Sequence, residues 1–254
     1  MSSQPSDRGG GLPPEQTRAG HPVGMPGDTS ARDDLAPLGD PLGRPPVPTR
    51  LAVLISGSGS NLQALIDAIE GQQLPDAEIA LVISSRAEAY GLQRALTHKL
   101  PAIHLPWIRR SQQAEAEAKI VALLDLFQID LIVLAGWMRI FSSDFMARYP
   151  QRIINLHPAL LPSDGGETYT TSSGEPIPAL RGLHVVERAL QEGLKVTGST
   201  VHYVVPEVDA GPVICQAEIS IEPGDTPETL HERLKTLEHR LIVEAVREYN
   251  KQIR

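Results

Sequence analysis

Cysteine is almost absent from this chain, with Cys215 the only one among 254 residues. The chain can therefore form neither an internal disulfide nor a zinc site built on cysteine pairs. Basic residues are also in deficit, since 23 Lys and Arg face 31 Asp and Glu, for a formal charge of −8. This balance disfavours a general nucleic-acid binder, which needs a basic face. Any site for an anion must be built locally, from backbone N–H groups and a few side chains.

Long apolar runs are missing as well. No run reaches the length of a membrane span, and the N-terminus lacks the apolar core of a signal peptide. Its many acidic residues also argue against a transit peptide. Hydrophobic residues nevertheless make up 41% of the chain, which is enough for a core and excludes wholesale disorder. We expect a cytoplasmic protein without membrane partners.

The first 50 residues differ in composition from the rest. They hold ten of the 22 prolines and no aromatic residue, with Gly, Ser and mixed charges throughout. Such a stretch cannot bury enough apolar surface to offset the entropy lost on ordering. We predict a disordered Pro/Gly-rich extension over residues 1–49, without an assigned function, and a catalytic domain over residues 50–254.

From Arg50 onward, short apolar runs alternate with amphipathic stretches. The apolar runs predict strands at Leu51–Ser56, Ile79–Ser84, Ala102–Leu105, Leu131–Ala135, Arg152–His157, Ser199–Val205 and Val213–Ile221. The amphipathic stretches predict helices at Asn61–Glu70, Gly91–His98, Ala114–Phe127, Leu183–Gln191 and Pro227–Tyr249. Strands separated by helices form βαβ units. The expected fold class is therefore α/β, Rossmann-like, with a mostly parallel twisted sheet and helices on both faces.

A polar segment rich in Gly, Ser and Thr, Ser163–Pro178, interrupts this alternation. Long loops inside a compact domain are uncommon and are often lids over a site. A tolerated surface insertion is an equally good interpretation, and the sequence leaves both open. We expect a long polar loop over residues 163–180.

A glycine-rich turn, Ser56–Asn61, joins the first predicted strand to the first helix. Its glycines allow close approach of a ligand, and the helix start offers N–H donors and the positive end of the helix dipole. Ser60 or Asn61 can either cap the helix or bind a phosphate. A nicotinamide oxidoreductase is disfavoured, because Leu62 stands where a dinucleotide site needs its third glycine. The turn favours a mononucleotide-like phosphate.

Two polar residues close the apolar run Arg152–His157, at the carboxyl edge where open α/β sheets bind ligands. Side chains two apart on a strand point the same way, so Asn155 and His157 should face one pocket while Leu156 turns into the core. Asn can donate to a developing oxyanion, and His can transfer protons near neutral pH. A purely structural histidine is the alternative interpretation.

Asp209 lies in an Asp-x-Gly-Pro sequence just before the last predicted strand. Most sequences of this kind are only turns. A carboxylate beside an imidazole would nevertheless favour and orient its protonated form.

Six segments together resemble the folate-dependent phosphoribosylglycinamide formyltransferases. They are Leu54–Ile69, Ser84–Ala95, Ile132–Phe141, Ile154–Pro162, Gly198–Gln216 and Arg233–Leu241. They occur in that family's order and cover nearly all of residues 50–250. The combined match is specific, although no single segment would be.

The resemblance assigns substrate-binding residues. It implies that Gly59, Ser60 and Asn61 hold the phosphate of glycinamide ribonucleotide and that Glu238 contacts the same substrate. It further implies a folate pocket formed partly by backbone groups and lined by Met138, Arg139, Ile140, Phe141 and Asn155. For the first four of these, core packing at a strand end is the alternative, and it explains Arg139 poorly.

The resemblance also assigns catalytic residues. It implies that Asn155 and His157 flank the formyl group and that Asp209 sits beside His157 and raises its pKa. Asn155 and protonated His157 would then stabilise the oxyanion formed when the amine attacks, and His157 would move the proton to the leaving folate nitrogen.

The chain departs from the family in two places. The family has a very short link after Leu161-Pro162, whereas here the polar segment intervenes before Arg181–His184. The family also often has a basic residue near the start of the helix after the third strand. Here that helix start reads Gln112–Glu115, with Arg109 and Arg110 just ahead.

The implied reaction transfers the formyl group of 10-formyltetrahydrofolate to the amine of 5-phosphoribosylglycinamide. Its products are N-formylglycinamide ribonucleotide and tetrahydrofolate, in de novo purine biosynthesis. We expect small-molecule partners only, no metal, no nucleic acid, and a monomer or homodimer.

Three alternatives to this transferase are considered. Formyltetrahydrofolate deformylase shares the Asn-x-His…Asp arrangement, but it has no nucleotide to bind, and His157-Pro158 in place of His-His favours the transferase. Formyl transfer to methionyl-tRNA uses a related domain with an added RNA-binding domain, and no basic domain follows here. A non-catalytic phosphosugar-binding homologue stays open.

Overall fold

The computed structural model describes residues 47–253. Nearly all of the predicted extension over residues 1–49 lies outside the described residues. Within them, the strands are β1 (Thr49–Ile55), β2 (Ala77–Ser84), β3 (Ala102–His104), β4 (Leu131–Leu134), β5 (Ile153–His157), β6 (Thr168–Thr170), β7 (Pro176–Pro178), β8 (Val196–Tyr203) and β9 (Val213–Ser220). The helices are α1 (Ser60–Glu70), α2 (Tyr90–Thr97), α3 (Gln113–Leu126), α4 (Ser143–Arg148), α5 (Val185–Gln191) and α6 (Pro227–Gln252), with a 3-10 turn at Arg110–Gln112.

Seven strands form one sheet in the order β3-β2-β1-β4-β5-β8-β9. The first five pair in parallel, whereas β8 pairs antiparallel with β5 and β9 antiparallel with β8. The chain moves outward in one direction from β1 and in the other from β4, so the order reverses between these two strands. Such a switch point opens a crevice at the carboxyl edge of the sheet, where ligands bind. The expected α/β class with a mostly parallel sheet is confirmed.

The central strands are apolar because helices cover both faces of the sheet. Leu51–Ile55 of β1 are completely buried. One core cluster joins alternate residues of β1 to α1 and α6, and a second joins the other residues to α3 and an aromatic group. Helix α6 contributes a stripe of Leu230, Leu234 and Leu241, each of which adds roughly 1.5–3 kcal/mol on burial.

Helix starts follow local signals. Helix α6 begins after Thr226, whose hydroxyl accepts the Thr229 N–H in a capping box, and Pro227 occupies the first turn. Helix α5 begins at Val185, two residues later than predicted, because His184 before it has a left-handed backbone with φ of 58°. Within residues 47–253, no helix combines the length and the apolar character needed to cross a membrane.

The segment expected to be a long polar loop is in part a β-hairpin. Strands β6 and β7 pair antiparallel, with Tyr169 opposite Ile177. Ile177 is buried, whereas most of the neighbouring side chains are exposed. Each strand has only three residues, too few to show an alternating pattern in the sequence. The hairpin was therefore not predicted.

Candidate active site

The carboxyl ends of β1, β4 and β5 lie side by side. Leu54 of β1 pairs with Leu134 of β4, and Leu134 pairs with Asn155 of β5. The glycine-rich turn after β1, the segment after β4 and the polar end of β5 are therefore neighbours at the switch point of the sheet. The structure thus brings the three groups of predicted site residues to one edge.

Asn155 lies near the carboxyl end of β5, between Leu134 of β4 and His202 of β8. Leu156 turns into the core as expected and is 7% exposed. Asn155 is paired with His202 across the antiparallel ladder, and its Nδ2 lies 3.3 Å from His202 Nε2. His202 Nδ1 lies 2.9 Å from the Tyr203 carbonyl, which can only accept, so Nδ1 carries the proton. His202 Nε2 faces both the Asn155 amide and Asp209 Oδ1, so it accepts from Asn155 when it carries no proton and donates to Asp209 when it carries one.

Asp209 lies between two histidines. Its Oδ2 is 3.4 Å from His157 Nδ1 and its Oδ1 is 3.5 Å from His202 Nε2. The backbone N–H of Gly182 donates to Oδ2 at 2.8 Å. The Asp209 side chain is 10% exposed. We call Asn155, His157, His202 and Asp209 the His–Asp cluster.

The second nitrogen of His157 is also engaged. Nε2 lies 2.7 Å from the Leu180 carbonyl, so it carries a proton and donates. The His157 side chain is 4% exposed. In the neutral ring Nδ1 is therefore the free basic position, and a proton taken up there would face the Asp209 carboxylate.

The pKa values of this pair reflect burial opposed by charge. Burial lowers the pKa of His157, and the raising effects of the Asp209 carboxylate and the Leu180 carbonyl do not offset it. Asp209 lies beside His157 and raises its pKa as expected, but the burial of the ring lowers the pKa by more. Burial alone would raise the pKa of Asp209, but His202, His157 and the Gly182 N–H together lower it.

The turn after β1 depends on close backbone packing. Gly59 has a φ of 68°, and a Cβ there would lie 2.5 Å from Gly91 Cα at the start of α2. Gly59 is also the N-cap residue of α1, and no side chain caps this helix. Ser60 and Asn61 therefore leave the first turn of α1 uncapped. Asn61 instead donates from Nδ2 to Glu238 Oε2 at 3.0 Å, and both side chains are buried.

A cationic side chain that sequence reasoning missed lies beside this turn. Arg94 of α2 donates from Nε to the Ser58 carbonyl at 3.0 Å and stacks over the Tyr90 ring at 4.9 Å. Arg94 and Ser60 also line a groove of about 510 Å³ between α1 and α6, together with His239. Arg94 lies about one turn into α2, and no motif in the sequence marks it.

The segment after β4 forms a wall of a second cavity. Met138, Arg139, Ile140 and Phe141 line a space of about 1020 Å³, together with Trp107 and the basic residues Arg109 and Arg110. Met138 and Ile140 are 52% and 71% exposed, whereas Phe141 is 5% exposed. Phe141 stacks on Phe145 with ring centroids 4.1 Å apart, so it belongs to the core as well as to the wall.

Backbone and side-chain donors near this wall differ in their availability. The Met138 N–H is taken by Ser56 Oγ at 3.1 Å, so it is not free for a ligand. Arg139 Nε is buried and has no hydrogen-bond partner among the described residues. The described residues also include no group of three or more His, Cys, Asp or Glu placed to hold a metal.

A family model described as formyl transferase matches residues 49–246. The chain belongs to the formyl transferase family. It is 38% identical over 192 residues to the phosphoribosylglycinamide formyltransferase of Haemophilus influenzae, covering 76% of this chain and 82% of that protein. It is 39% identical over 197 residues to the human trifunctional purine biosynthetic protein adenosine-3, covering 78% of this chain but 18% of that protein. The chain thus spans 13–18% of the length of the trifunctional relatives it matches.

Solved structures in the same family share the fold. Glycinamide ribonucleotide transformylase 1 from Symbiobacterium toebii superposes with a TM-score of 0.68 at 38% identity, over 79% of this chain and 86% of that one. A formyltetrahydrofolate deformylase from Pseudomonas syringae superposes with a TM-score of 0.67 at 26% identity, over 79% of this chain and 60% of that one. The fold alone therefore does not separate transfer from hydrolysis, although sequence identity favours the transformylase.

Two further residues near the His–Asp cluster were not predicted from the sequence. His202 belongs to the same strand face as Thr200, the residue paired with His157, but this pairing of β8 with β5 was not predicted. Arg181 closes the polar segment and contacts the Asp209 backbone. Both residues can be identified as neighbours of the cluster only from the folded structure.

Proposed function

We propose that this chain transfers the formyl group of 10-formyltetrahydrofolate to the amine of 5-phosphoribosylglycinamide in purine biosynthesis. The observation that carries the proposal is the His–Asp cluster, which lies two strands from a phosphate-type turn in a chain that belongs to the formyl transferase family. Catalysis of this kind needs an oxyanion donor, a proton carrier and a group that orients the carrier. The cluster supplies one residue of each kind.

The glycine-rich turn is assigned to the substrate phosphate. Gly59, Ser60 and Asn61 form the start of α1, where backbone N–H groups and the helix dipole favour an anion. Arg94 adds a fixed positive charge beside the turn. Glu238, held by Asn61, is assigned to a polar group of the same substrate, because a buried carboxylate is suited to accept from hydroxyl or amine donors.

The cavity beside the segment after β4 is assigned to the folate, which supplies the formyl group when bound. Its apolar wall suits a flat heterocycle, and the unpartnered Nε of Arg139 offers a donor. Arg109 and Arg110 at the same cavity carry the positive charge that a folate carboxylate needs. Met138, Ile140 and Phe141 would contribute contact area.

Asn155 is assigned to the developing oxyanion. Its amide carries two N–H groups, and His202 accepts one of them, which leaves the second available for the substrate oxygen. The contact with His202 also fixes which way the amide points. A donor held in place before the reaction stabilises the transition state without reorganisation.

His157 is assigned to proton transfer. Nδ1 faces Asp209, which would stabilise the imidazolium, so Nε2 is the nitrogen that would take up the proton of the attacking amine, in place of its contact with the Leu180 carbonyl. The same nitrogen can then return the proton to the leaving folate nitrogen. Because burial lowers the His157 pKa, the ring is neutral before the reaction and available as a base near neutral pH.

Steady-state kinetics of variants test these assignments. Asn155→Ala and His157→Ala are each expected to lower kcat by about 10²–10³, the usual cost of one oxyanion donor or general base. His231→Ala, an exposed histidine on α6, is the matched control and should keep the wild-type rate. Near-normal turnover in both site variants, with folded protein by circular dichroism, would overturn the assignments.

The deformylase alternative predicts a different requirement for substrate. Hydrolysis of formyltetrahydrofolate needs no nucleotide, so it leaves the turn at Gly59 and the Asn61–Glu238 pair without a role. We expect formyl release to depend on the ribonucleotide. Equal folate turnover with and without the ribonucleotide would instead support the deformylase.

A further inference from the structure

The polar segment that follows Pro162 ends on the His–Asp cluster. The Leu180 carbonyl accepts from His157 Nε2 at 2.7 Å. The Arg181 Nε donates to the Asp209 carbonyl at 3.2 Å, and the Gly182 N–H donates to Asp209 Oδ2 at 2.8 Å. Three successive residues therefore contact the two residues assigned to proton transfer.

Arg181 connects the cluster to the base of the hairpin. Its Nη2 donates to the Gly165 carbonyl at 3.0 Å and to the Gly166 carbonyl at 2.6 Å, while Nε reaches Asp209. The planar guanidinium holds these three carbonyls in one geometry, which a single ammonium group cannot do. Arg188 of α5 donates to the Arg181 carbonyl at 3.0 Å and fixes the backbone from the other side.

The far end of the hairpin is attached to the main sheet. Glu218 of β9 accepts from the Tyr169 hydroxyl at 3.0 Å, from the Ser172 N–H at 2.7 Å and from the Ser172 hydroxyl at 2.7 Å. The hairpin is thus held at its tip by the sheet and at its base by Arg181. Because the hairpin is fixed at both ends, it can hold the Asp209 turn in place through Arg181.

Asp209 needs such support. Its backbone has a φ of 52°, in the left-handed region, which costs energy for residues other than glycine although Asp enters it more readily than most. A residue in this region stays there only when its surroundings determine the conformation. Arg181 holds its carbonyl and Gly182 holds its carboxylate, which places Oδ2 beside His157 Nδ1.

We propose that Arg181 is a positioning residue for formyl transfer, which ties the hairpin to the Asp209 turn and keeps the Asp209 carboxylate beside His157. This inference rests on the proposed function. On this proposal the polar segment supports the His–Asp cluster.

Kinetics of Arg181 variants test the proposal. Arg181→Ala is expected to lower kcat by about 10–100-fold, the effect of a displacement of about 1 Å at a reacting group. The KM for the ribonucleotide should stay within about twofold, because the phosphate turn lies on another strand end. Arg181→Lys keeps the positive charge but not the planar guanidinium, so its kcat should remain close to that of the alanine variant. A wild-type kcat in the lysine variant would overturn the proposal. Arg247→Ala, at an exposed position of α6, is the control and should keep the wild-type kcat.

A double-mutant cycle separates positioning from general loosening of the fold. If Arg181 acts through Asp209, adding Arg181→Ala to Asp209→Asn should lower kcat by less than about twofold further. Two losses that multiply in full would contradict the proposal.

Amide hydrogen exchange tests the same contact without an activity assay. Arg181→Ala should speed exchange of the Gly182 amide by about tenfold or more, because the loop opens locally. Unchanged exchange would overturn the positioning role. If the wild-type protein shows no formyl transfer while Gly182 exchange does respond, the proposed function fails and the support by Arg181 stands.

Discussion

Replacement of Gly59 by alanine combines two separable costs. The first is conformational, because a left-handed φ of 68° costs a residue with a Cβ about 1–2 kcal/mol. The second is steric, because the new Cβ would lie 2.5 Å from Gly91 Cα, a backbone atom that no rotamer change can remove. Overpacking of this kind adds about 1–3 kcal/mol. We therefore expect Gly59→Ala to lower the free energy of unfolding by about 2–5 kcal/mol.

Gly193→Ala is the matched control. Gly193 has a φ of 65°, and a Cβ there meets no atom within 4 Å, so only the conformational cost of about 1–2 kcal/mol applies. Urea unfolding followed by circular dichroism measures both variants against the wild type. The excess loss in Gly59→Ala reports the contact between the turn and α2. Equal losses in the two variants would refute the packing argument, and with it the close backbone approach that shapes the proposed phosphate site.

Two further predictions concern charge at the site. Asn61→Ala removes the side chain that donates to Glu238, so it should raise the KM for the ribonucleotide by about 10–100-fold, the worth of a hydrogen bond to a charged group. An unchanged ribonucleotide Kd by calorimetry would count against the assignment of the Asn61–Glu238 pair to this substrate. Burial lowers the pKa of His157 in the folded state. The neutral ring therefore contributes fully to stability above the unfolded-state pKa of about 6.5. This contribution is lost as the pH falls below that value, at up to about 1.4 kcal/mol per pH unit. His157→Gln should therefore lose less stability than the wild type between about pH 7.5 and pH 5.5, and parallel losses in urea unfolding would contradict this sign.

The sheet was predictable because its strands are buried on both faces. A fully apolar run such as Leu131–Leu134 is typical of a central strand in a parallel sheet, where both faces are covered by helices. All predicted bounds of strands and helices agree with the structure within three residues. Helix α4, with six residues, was missed because it is too short for a helical period to emerge, although Ser142 caps it through the Phe145 N–H.

The site was predictable only where local sequence carries the geometry. Asn155 and His157 share a strand face by their spacing, and the turn at Gly59 follows a strand directly. His202 and Arg94 reach the site through strand pairing and helix packing, which a single sequence does not reveal. The raising effect of Asp209 on the His157 pKa was expected, whereas the larger lowering effect of burial depends on the folded chain and was not foreseen.

Mass spectrometry of the ribonucleotide after incubation with the protein and isotopically labelled 10-formyltetrahydrofolate tests formyl transfer most directly. The proposed function predicts labelled N-formylglycinamide ribonucleotide, formed together with tetrahydrofolate and absent when either substrate is omitted. Labelled formate without a formylated ribonucleotide would contradict the transfer and indicate hydrolysis. Unreacted substrates would contradict both activities.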